Sequence, residues 1–513
     1  MDENMPSSLD VESPVALDKH SLGTFTARGT EVRITVKNLT FSVPHMKKRN
    51  VQAHLLKNIS IFFNPSEMSA LMGPSGSGKT TLLDLLAGRK TTGRTEGQIL
   101  FGGLPPSKQY LRRFTGYVEQ FDSLLPILTV REMLMYTAEL KRPLSETPES
   151  KKADVDALIG ALALDVCRNT LIGSYEKRGI SGGQAKRTNI GIALVTNPRV
   201  LFLDEPTTGL DSYTSNEVMD VVKKLTQQTG VTVCSTIHSP TAYCFNLFDR
   251  VTLLVSGNLV YFGQQGAIIM FFTTYSSNLK EFTPGYNNAE YITDLVTEAD
   301  RMGKALELAE AYAISPFSSE NQVMVDSYAA SDSKNVSQDL LAELNVSRST
   351  VTPMWWGLRT FMAYRTSKNF WDPSFVAPRV VPNLVIGLLI LTLYLNIGTD
   401  NSDSNVTNIA AVLFMWSATP GFVASGYMPT LFLERSLFVR ERNDGLYLVL
   451  TYLLAKLFEE LMINSISSLC VGAMVFYAIK LNGSFGLFYV SYLVAVSVGI
   501  ILAYFVSSIS PSM

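Results

Sequence analysis

An α/β domain followed by an all-α polytopic membrane domain is the architecture that the 513-residue sequence predicts, and three observations carry it. From about Glu31 to Gly263 short apolar runs alternate with helical patterns, as in a largely parallel sheet covered by helices. A GxxxxGK[ST] string, Gly73-Pro-Ser-Gly-Ser-Gly78-Lys79-Thr80, stands between an apolar run and a helical pattern. Beyond Pro353 four long stretches are nearly free of charge, although charged residues make up 17% of the whole.

In chain order, residues 1–28 are polar and acidic, with neither a basic n-region nor an apolar h-region, and are expected to be a disordered tail without a cleavable signal. Residues 29–265 form the α/β domain. Its expected strands are Val32–Val43, Leu55–Phe63, Met68–Met72, Val200–Leu203, Val231–Thr236 and Val251–Val255. Its expected helices are Thr80–Ala87, Val130–Leu140, Lys151–Leu164, Gly182–Thr196 and Tyr213–Gln228. Residues 266–352 carry Ser, Asn and acidic runs and read as a solvated linker with some helix.

The membrane domain takes 353–513. Residues 354–371 mix Trp355, Trp356 and Trp371 with Arg359, Arg365 and Lys368, the pattern of an amphipathic helix in the headgroup layer. Spans are expected at about 380–399, 405–433, 461–479 and 484–508, each long enough to cross about 30 Å of hydrocarbon. The loop after the first holds Asp400 and Asp403 without Lys or Arg, and that after the second holds Arg435, Arg440, Arg442 and Lys456. By the positive-inside rule the α/β domain is then cytosolic, in a multi-pass protein of the plasma membrane or an organelle membrane.

Lys and Arg (43) nearly balance Asp and Glu (45), which leaves no polycationic surface for nucleic acid. Cys167, Cys234, Cys244 and Cys470 are scattered, so neither a disulfide framework nor a zinc site is expected.

Three strings carry chemistry. In the first, residues Gly73, Pro74, Ser75, Gly76, Ser77, Gly78, Lys79, Thr80 and Thr81 would wrap ATP phosphates with backbone N–H groups at a helix N-terminus. Lys79 would reach the β/γ-phosphates and Thr80 would place its hydroxyl on Mg²⁺. In the second, Leu201-Phe-Leu-Asp204-Glu205-Pro206, an apolar strand ends in two carboxylates: Asp204 to hold Mg²⁺ and Glu205 to polarise the attacking water. A salt-bridged strand end is the plainer alternative for that pair. In the third, Ile180-Ser181-Gly182-Gly183-Gln184 opens a helix and makes an anion site of its N-terminus.

This third string resembles the signature of the ABC ATPase superfamily, and the resemblance extends through the domain. It implies that Ser181, Gly182, Gly183 and Gln184 cover the γ-phosphate of ATP held by another subunit. It also implies that Gln120, in GYVEQ, is the Q-loop glutamine touching Mg²⁺ and the membrane domain, that Asp211 belongs to the D-loop, and that His238 is the switch histidine. Where many relatives stack an aromatic residue on adenine this chain has Val43.

ATPase first and membrane domain second resembles the G subfamily of White-type half transporters, as do Tyr261-Phe-Gly, Gly285-Tyr-Asn-Asn-Ala-Glu-Tyr291 and Glu434-Arg435-Ser-Leu-Phe438-Val-Arg440-Glu441. The resemblance implies a homodimer, or a heterodimer with another half transporter, that exports a lipid, sterol or amphipathic compound, with Phe422 on the second span packing the ligand. That family has six spans, so with four the chain is expected to be an incomplete product or a short variant. A non-transporting regulator pairing with a full-length half transporter is the alternative.

Overall fold

The structure, a computed structural model, describes residues 31–44, 52–174, 177–275, 285, 287–399, 402–425 and 428–510. Among the described residues nine strands form one sheet: β1 (Ile34–Pro44), β2 (Gln52–Phe63), β3 (Met68–Met72), β4 (Arg94–Phe101), β5 (Thr115–Val118), β6 (Val200–Asp204), β7 (Thr232–Thr236), β8 (Arg250–Val255) and β9 (Asn258–Gln264). Their order is β4-β1-β2-β9-β8-β3-β7-β6-β5. The pairs β5–β6, β6–β7, β7–β3 and β3–β8 are parallel, and β1 pairs antiparallel with both β2 and β4. The short central strands β3, β6 and β7 are buried at every residue, because helices cover both faces.

Two connections out of this parallel core shape the site. β3 runs through the glycine-rich turn into the helix Lys79–Leu86, and β6 ends at Asp204 immediately before Glu205. The C-terminal ends of parallel strands thus meet a helix N-terminus, the usual crevice for ligands in such sheets.

The stretch expected to be a solvated linker is instead mostly helical where described, and it packs on the sheet. Helices run over Ile268–Tyr275, Asn288–Arg301, Ala305–Ala313, Pro316–Lys334 and Gln338–Leu344. The Ser-rich string forms Pro316–Lys334 because Ser315 accepts the Ser318 N–H at the N-cap and Pro316 suits the first turn. Asn321 donates to the Ser60 carbonyl at 2.7 Å and Arg33 pairs with Asp332 at 3.0 Å, so this helix closes over β1 and β2.

Among the described residues three helices are long and apolar enough to cross a membrane: Pro373–Tyr394, Val449–Ile479 and Phe485–Ile509. The expected second span falls on the helices Asp403–Ser425, with Pro420 inside it, and Met428–Asn443; residues 426 and 427 between them lie outside the described residues. Gly387 lets the first and third spans approach, since a Cβ there would meet Val471 Cγ1 at 2.4 Å. Trp416 stacks on Phe488 with ring centroids 4.7 Å apart, which locks the Asp403–Ser425 helix to the last span.

The expected interfacial helix runs from Met354–Phe361 through a π-turn at Met362–Thr366 into Ser367–Asn369. Rather than lying wholly in the headgroup layer, it rests on the ATPase side: Trp356 donates to the Glu139 carbonyl at 3.1 Å and Lys368 pairs with Glu132 at 2.8 Å. Trp355 and Trp371 stay exposed, 61% and 88%, on the part turned away from that contact.

Candidate active site

The turn from Gly73 to Gly78 is shaped by left-handed glycines, Gly73 at φ +143°, Gly76 at +82° and Gly78 at +103°. Pro74 and Ser77 are buried, Ser75 and Gly76 face solvent, and Thr81 lies half-buried one residue beyond Thr80 on the helix. Gly78 is the N-cap of Lys79–Leu86, so the first N–H groups of that helix remain free for an acceptor. Lys79 Nζ donates to the Gly73 and Pro74 carbonyls at 2.7 and 2.9 Å, which straps the side chain across its own turn. Burial pushes its pKa down, opposed by the Glu205 and Asp204 carboxylates.

Facing this turn, Asp204 Oδ1 accepts from Thr236 at 2.7 Å and from Thr80 at 3.3 Å. Burial raises its pKa, the Thr236 and Thr80 hydroxyls oppose that, and nearby Asp84 and Glu205 add to it. A buried carboxylate beside a hydroxyl is an oxygen donor set that suits a hard cation completed by phosphate and water. Among the described residues no cluster of three or more His, Cys, Asp or Glu side chains forms a self-sufficient metal site.

Glu205 has φ +46°, an uncommon backbone for a non-glycine residue, stabilised by its N–H donating to Thr236 Oγ1 at 2.8 Å. Its Oε2 accepts from Gln120 Nε2 at 2.6 Å and from Thr208 Oγ1 at 2.9 Å. Gln120 and Glu205 are therefore one hydrogen-bonded unit, held through Oε2. His238 Nε2 lies 3.2 Å from Ser75 Oγ, so the β7 side also reaches the turn.

The Ser181 turn stands apart. Ser181 caps the helix Gly182–Leu194 reciprocally, accepting from Gln184 N at 3.3 Å while its own N–H donates to Gln184 Oε1 at 3.0 Å. Ser181 and Gly182 are exposed, and Gly183 is pressed on Thr214, where a Cβ would meet Cγ2 at 2.2 Å. Asp211 caps the helix Ser212–Thr229, and the Thr214 N–H and hydroxyl hold its carboxyl below the usual range. None of these hydrogen bonds, among the described residues, reaches the Lys79 turn. Val43 lies half-buried against the core, and the side chain of Phe422 lies outside the described residues.

Several contacts that the sequence does not announce tie this site to the membrane domain. Lys186 donates to the Gln120 carbonyl at 2.9 Å and pairs with Asp122 at 3.0 Å. Arg440, from the helix Met428–Asn443, is buried, donates to the Ser123 carbonyl at 2.6 Å and bonds Asn189. Arg89 pairs with Glu119 at 2.8 Å and with Asp444. Above this joint, Arg365 pairs with Glu441 at 2.9 Å and Arg379 with Glu460 at 2.5 Å, all four side chains buried.

Comparison with known proteins agrees with both halves. Residues 56–208 match the ABC transporter family and residues 359–513 the ABC-2 type transporter family. The chain is similar to ABC transporter G family member 22 of Dictyostelium discoideum, 35% identical over 88% of this chain and 72% of the relative. It is also similar to the broad substrate specificity ATP-binding cassette transporter ABCG2 of Sus scrofa, 30% identical over 86% of this chain and 69% of the relative. Against pleiotropic drug resistance protein 1 of Nicotiana tabacum it is 32% identical, over 85% of this chain and 30% of that longer protein. A solved dimer of an ATP-binding cassette bound to ADP and Pi, 26% identical, aligns with 45% of this chain and 98% of its own at a TM-score of 0.39.

Proposed function

Because the chain belongs to the G family of ABC transporters and is an ATPase coupled to transmembrane transport, we propose that it works as a dimeric half transporter with Mg-ATP bound between two copies and the ATPase domain cytosolic. The observation that carries this reading is the division of the site. The Lys79 turn, Asp204, Glu205, Gln120 and His238 are joined by hydrogen bonds, partly through Thr236, whereas among the described residues the exposed Ser181 turn makes no hydrogen bond to them. A second copy's Ser181, Gly182 and Gly183 would supply the missing N–H donors to the γ-phosphate, with Asp211 belonging to the adjoining D-loop.

Within one copy the roles follow from position. The Lys79 ammonium, already desolvated, exchanges its carbonyl partners for phosphate oxygens. Thr80, Asp204 and Gln120 would hold Mg²⁺, which neutralises charge on the β- and γ-phosphates when bound. Glu205, held through Oε2 by Gln120 and Thr208, would orient the attacking water and accept its proton on the other carboxylate oxygen, and His238 would donate to the γ-phosphate.

The exported compound is proposed to be a lipid, sterol or other amphipathic molecule. Supporting this, an apolar groove of about 380 Å³ opens between the first and third spans, lined by Phe370, Val380, Leu384, Ile463, Cys470 and Val471. The dimer is tested by mass in detergent. Glu205→Gln chain should double in mass with Mg-ATP and Lys79→Met should not; a wild-type chain that turns ATP over at full rate as a monomer would overturn it.

A further inference from the structure

A line of side chains outside the ATPase motifs connects the Asp204 carboxylate to the membrane domain, and Arg89 is its midpoint. The helix Lys79–Leu86 carries Lys79 and Thr80 at its start and Asp84 one turn later. Past its end the chain turns through Gly88 (φ +66°), and the Arg89 N–H donates to the Asp84 carbonyl at 2.8 Å, so Arg89 is fixed to the same rigid element as the phosphate turn.

The Arg89 guanidinium makes three contacts at once. It lies over the Tyr117 ring at 3.9 Å from the centroid, Nη1 donates to Glu119 Oε1 at 2.8 Å, and Nη2 donates to Asp444 Oδ1. Glu119 is the neighbour of Gln120, and Asp444 follows the last residue of the helix Met428–Asn443. Tyr117, 6% exposed, sends its hydroxyl between two carboxylates, 2.9 Å from Asp84 Oδ1 and 3.5 Å from Asp204 Oδ2.

A phenol has one proton and can serve only one of those carboxylates fully. Occupancy of Asp204 by a cation removes its need for that proton and favours Asp84; vacancy favours sharing. The ring that carries the hydroxyl is held beneath the guanidinium, so the choice is felt by Arg89 and through it by Asp444.

We propose that Arg89 is a positioning residue that couples cation occupancy at Asp204 to the seat of the membrane domain's Met428–Asn443 helix, with Tyr117 and Asp444 as its two arms. The coupling rests on Asp204 as the Mg²⁺ ligand and adds a route parallel to Gln120. Linkage requires it to run both ways, so a change at Asp444 alters the Mg²⁺ affinity of a site it does not touch.

The test uses the full chain in nanodiscs, carrying Glu205→Gln to suppress turnover, and reads fluorescence of bound trinitrophenyl-ATP against Mg²⁺. Asp444→Asn, Arg89→Gln and Tyr117→Phe should each shift the half-saturating Mg²⁺ about fivefold, as expected for one lost buried hydrogen bond. The pair Asp444→Asn with Arg89→Gln should shift it no further than either alone, and Arg89→Lys should recover part of the effect. Nucleotide affinity without Mg²⁺ should stay at the wild-type value in all of them, and matched melting temperatures confirm folding. Additive shifts, or an Asp444→Asn chain with unchanged Mg²⁺ dependence, would overturn the coupling while leaving the nucleotide site standing. Failure of the parent chain to bind nucleotide at any Mg²⁺ concentration would remove the site itself and the coupling with it.

Discussion

Alanine at Gly73 should weaken ATP binding by roughly 30-fold or more, whereas alanine at Gly76, three residues on in the same turn, should weaken it by roughly 5- to 30-fold. Both glycines have positive φ, +143° and +82°. An alanine in a left-handed conformation costs about 1–2 kcal/mol, which is the whole penalty at Gly76 because nothing lies within 4 Å of its Cβ position. At Gly73 the backbone penalty is about 1–3 kcal/mol. In addition its Cβ would stand 2.0 Å from the Leu254 carbonyl oxygen of β8, which has to retreat by about 1.4 Å to reach ordinary contact. Strand β8 is paired on both sides, by β3 and β9, and cannot yield freely. Overpacking of this kind adds about 1–3 kcal/mol. The sum at Gly73, about 2–6 kcal/mol, corresponds to a loss of affinity from roughly 30-fold to beyond 1,000-fold, against roughly 5- to 30-fold at Gly76. Equilibrium binding of radiolabelled ATP to the detergent-purified chains measures this, with thermal melts as a check on folding. A Gly73→Ala chain within twofold of wild type, or a Gly76→Ala chain that is the weaker binder, would refute the reasoning.

Two further outcomes follow from buried charge. Lys141 is buried at the joint, donating to the Arg112 and Asp444 carbonyls, and burial pushes its pKa down to about 8 against 10.5 when exposed, with Asp444 opposing and Arg113 and Arg89 reinforcing. From about pH 8 to 10.5 the folded state has released a proton that the unfolded state keeps, so stability rises with pH across that window, by at most on the order of 3 kcal/mol. Melting temperatures from pH 7.5 to 9.5 should therefore rise in wild type relative to Lys141→Met, and parallel curves would contradict the account. In the membrane domain, Arg379→Met strands the buried Glu460 carboxylate and should cost about 3–5 kcal/mol of stability, whereas Arg379→Met with Glu460→Met should regain most of it. A double variant that melts below the single one would show that the pair, rather than its broken half, matters.

Strands with both faces covered were legible because apolar residues dominate them: Met68–Met72, apolar but for Ser69, is placed by the sequence at its observed bounds, and Val200–Leu203 misses only Asp204. The expected set lacks Arg94–Phe101, whose first five residues are exposed and polar, Thr115–Val118, which is four residues long, and Asn258–Gln264. Each is recruited by pairing with a neighbour, which local composition does not record. The helix at 316–334 is not announced by composition because its exposed positions mix polar residues with Val323 and Met324, so no clean apolar stripe marks the face where Asn321 and Val325 turn inward. In the site, the phosphate turn and the Asp204-Glu205 pair declare themselves as short strings because one backbone turn or strand end does their work. Arg89 and Asp444 are 355 residues apart and Arg440 and Asn189 are 251 apart. Only the docking of the membrane domain on the ATPase domain makes them partners, and no local pattern encodes it.

If Glu205 activates water for hydrolysis of ATP gripped by the Lys79 turn, turnover must depend on its carboxylate. Steady-state phosphate release from the reconstituted chain, wild type beside Glu205→Gln, tests it most directly. Turnover should fall at least about 100-fold in the variant, the lower end of what a general base contributes, while Mg-ATP stays bound. Turnover in Glu205→Gln within twofold of wild type would contradict it.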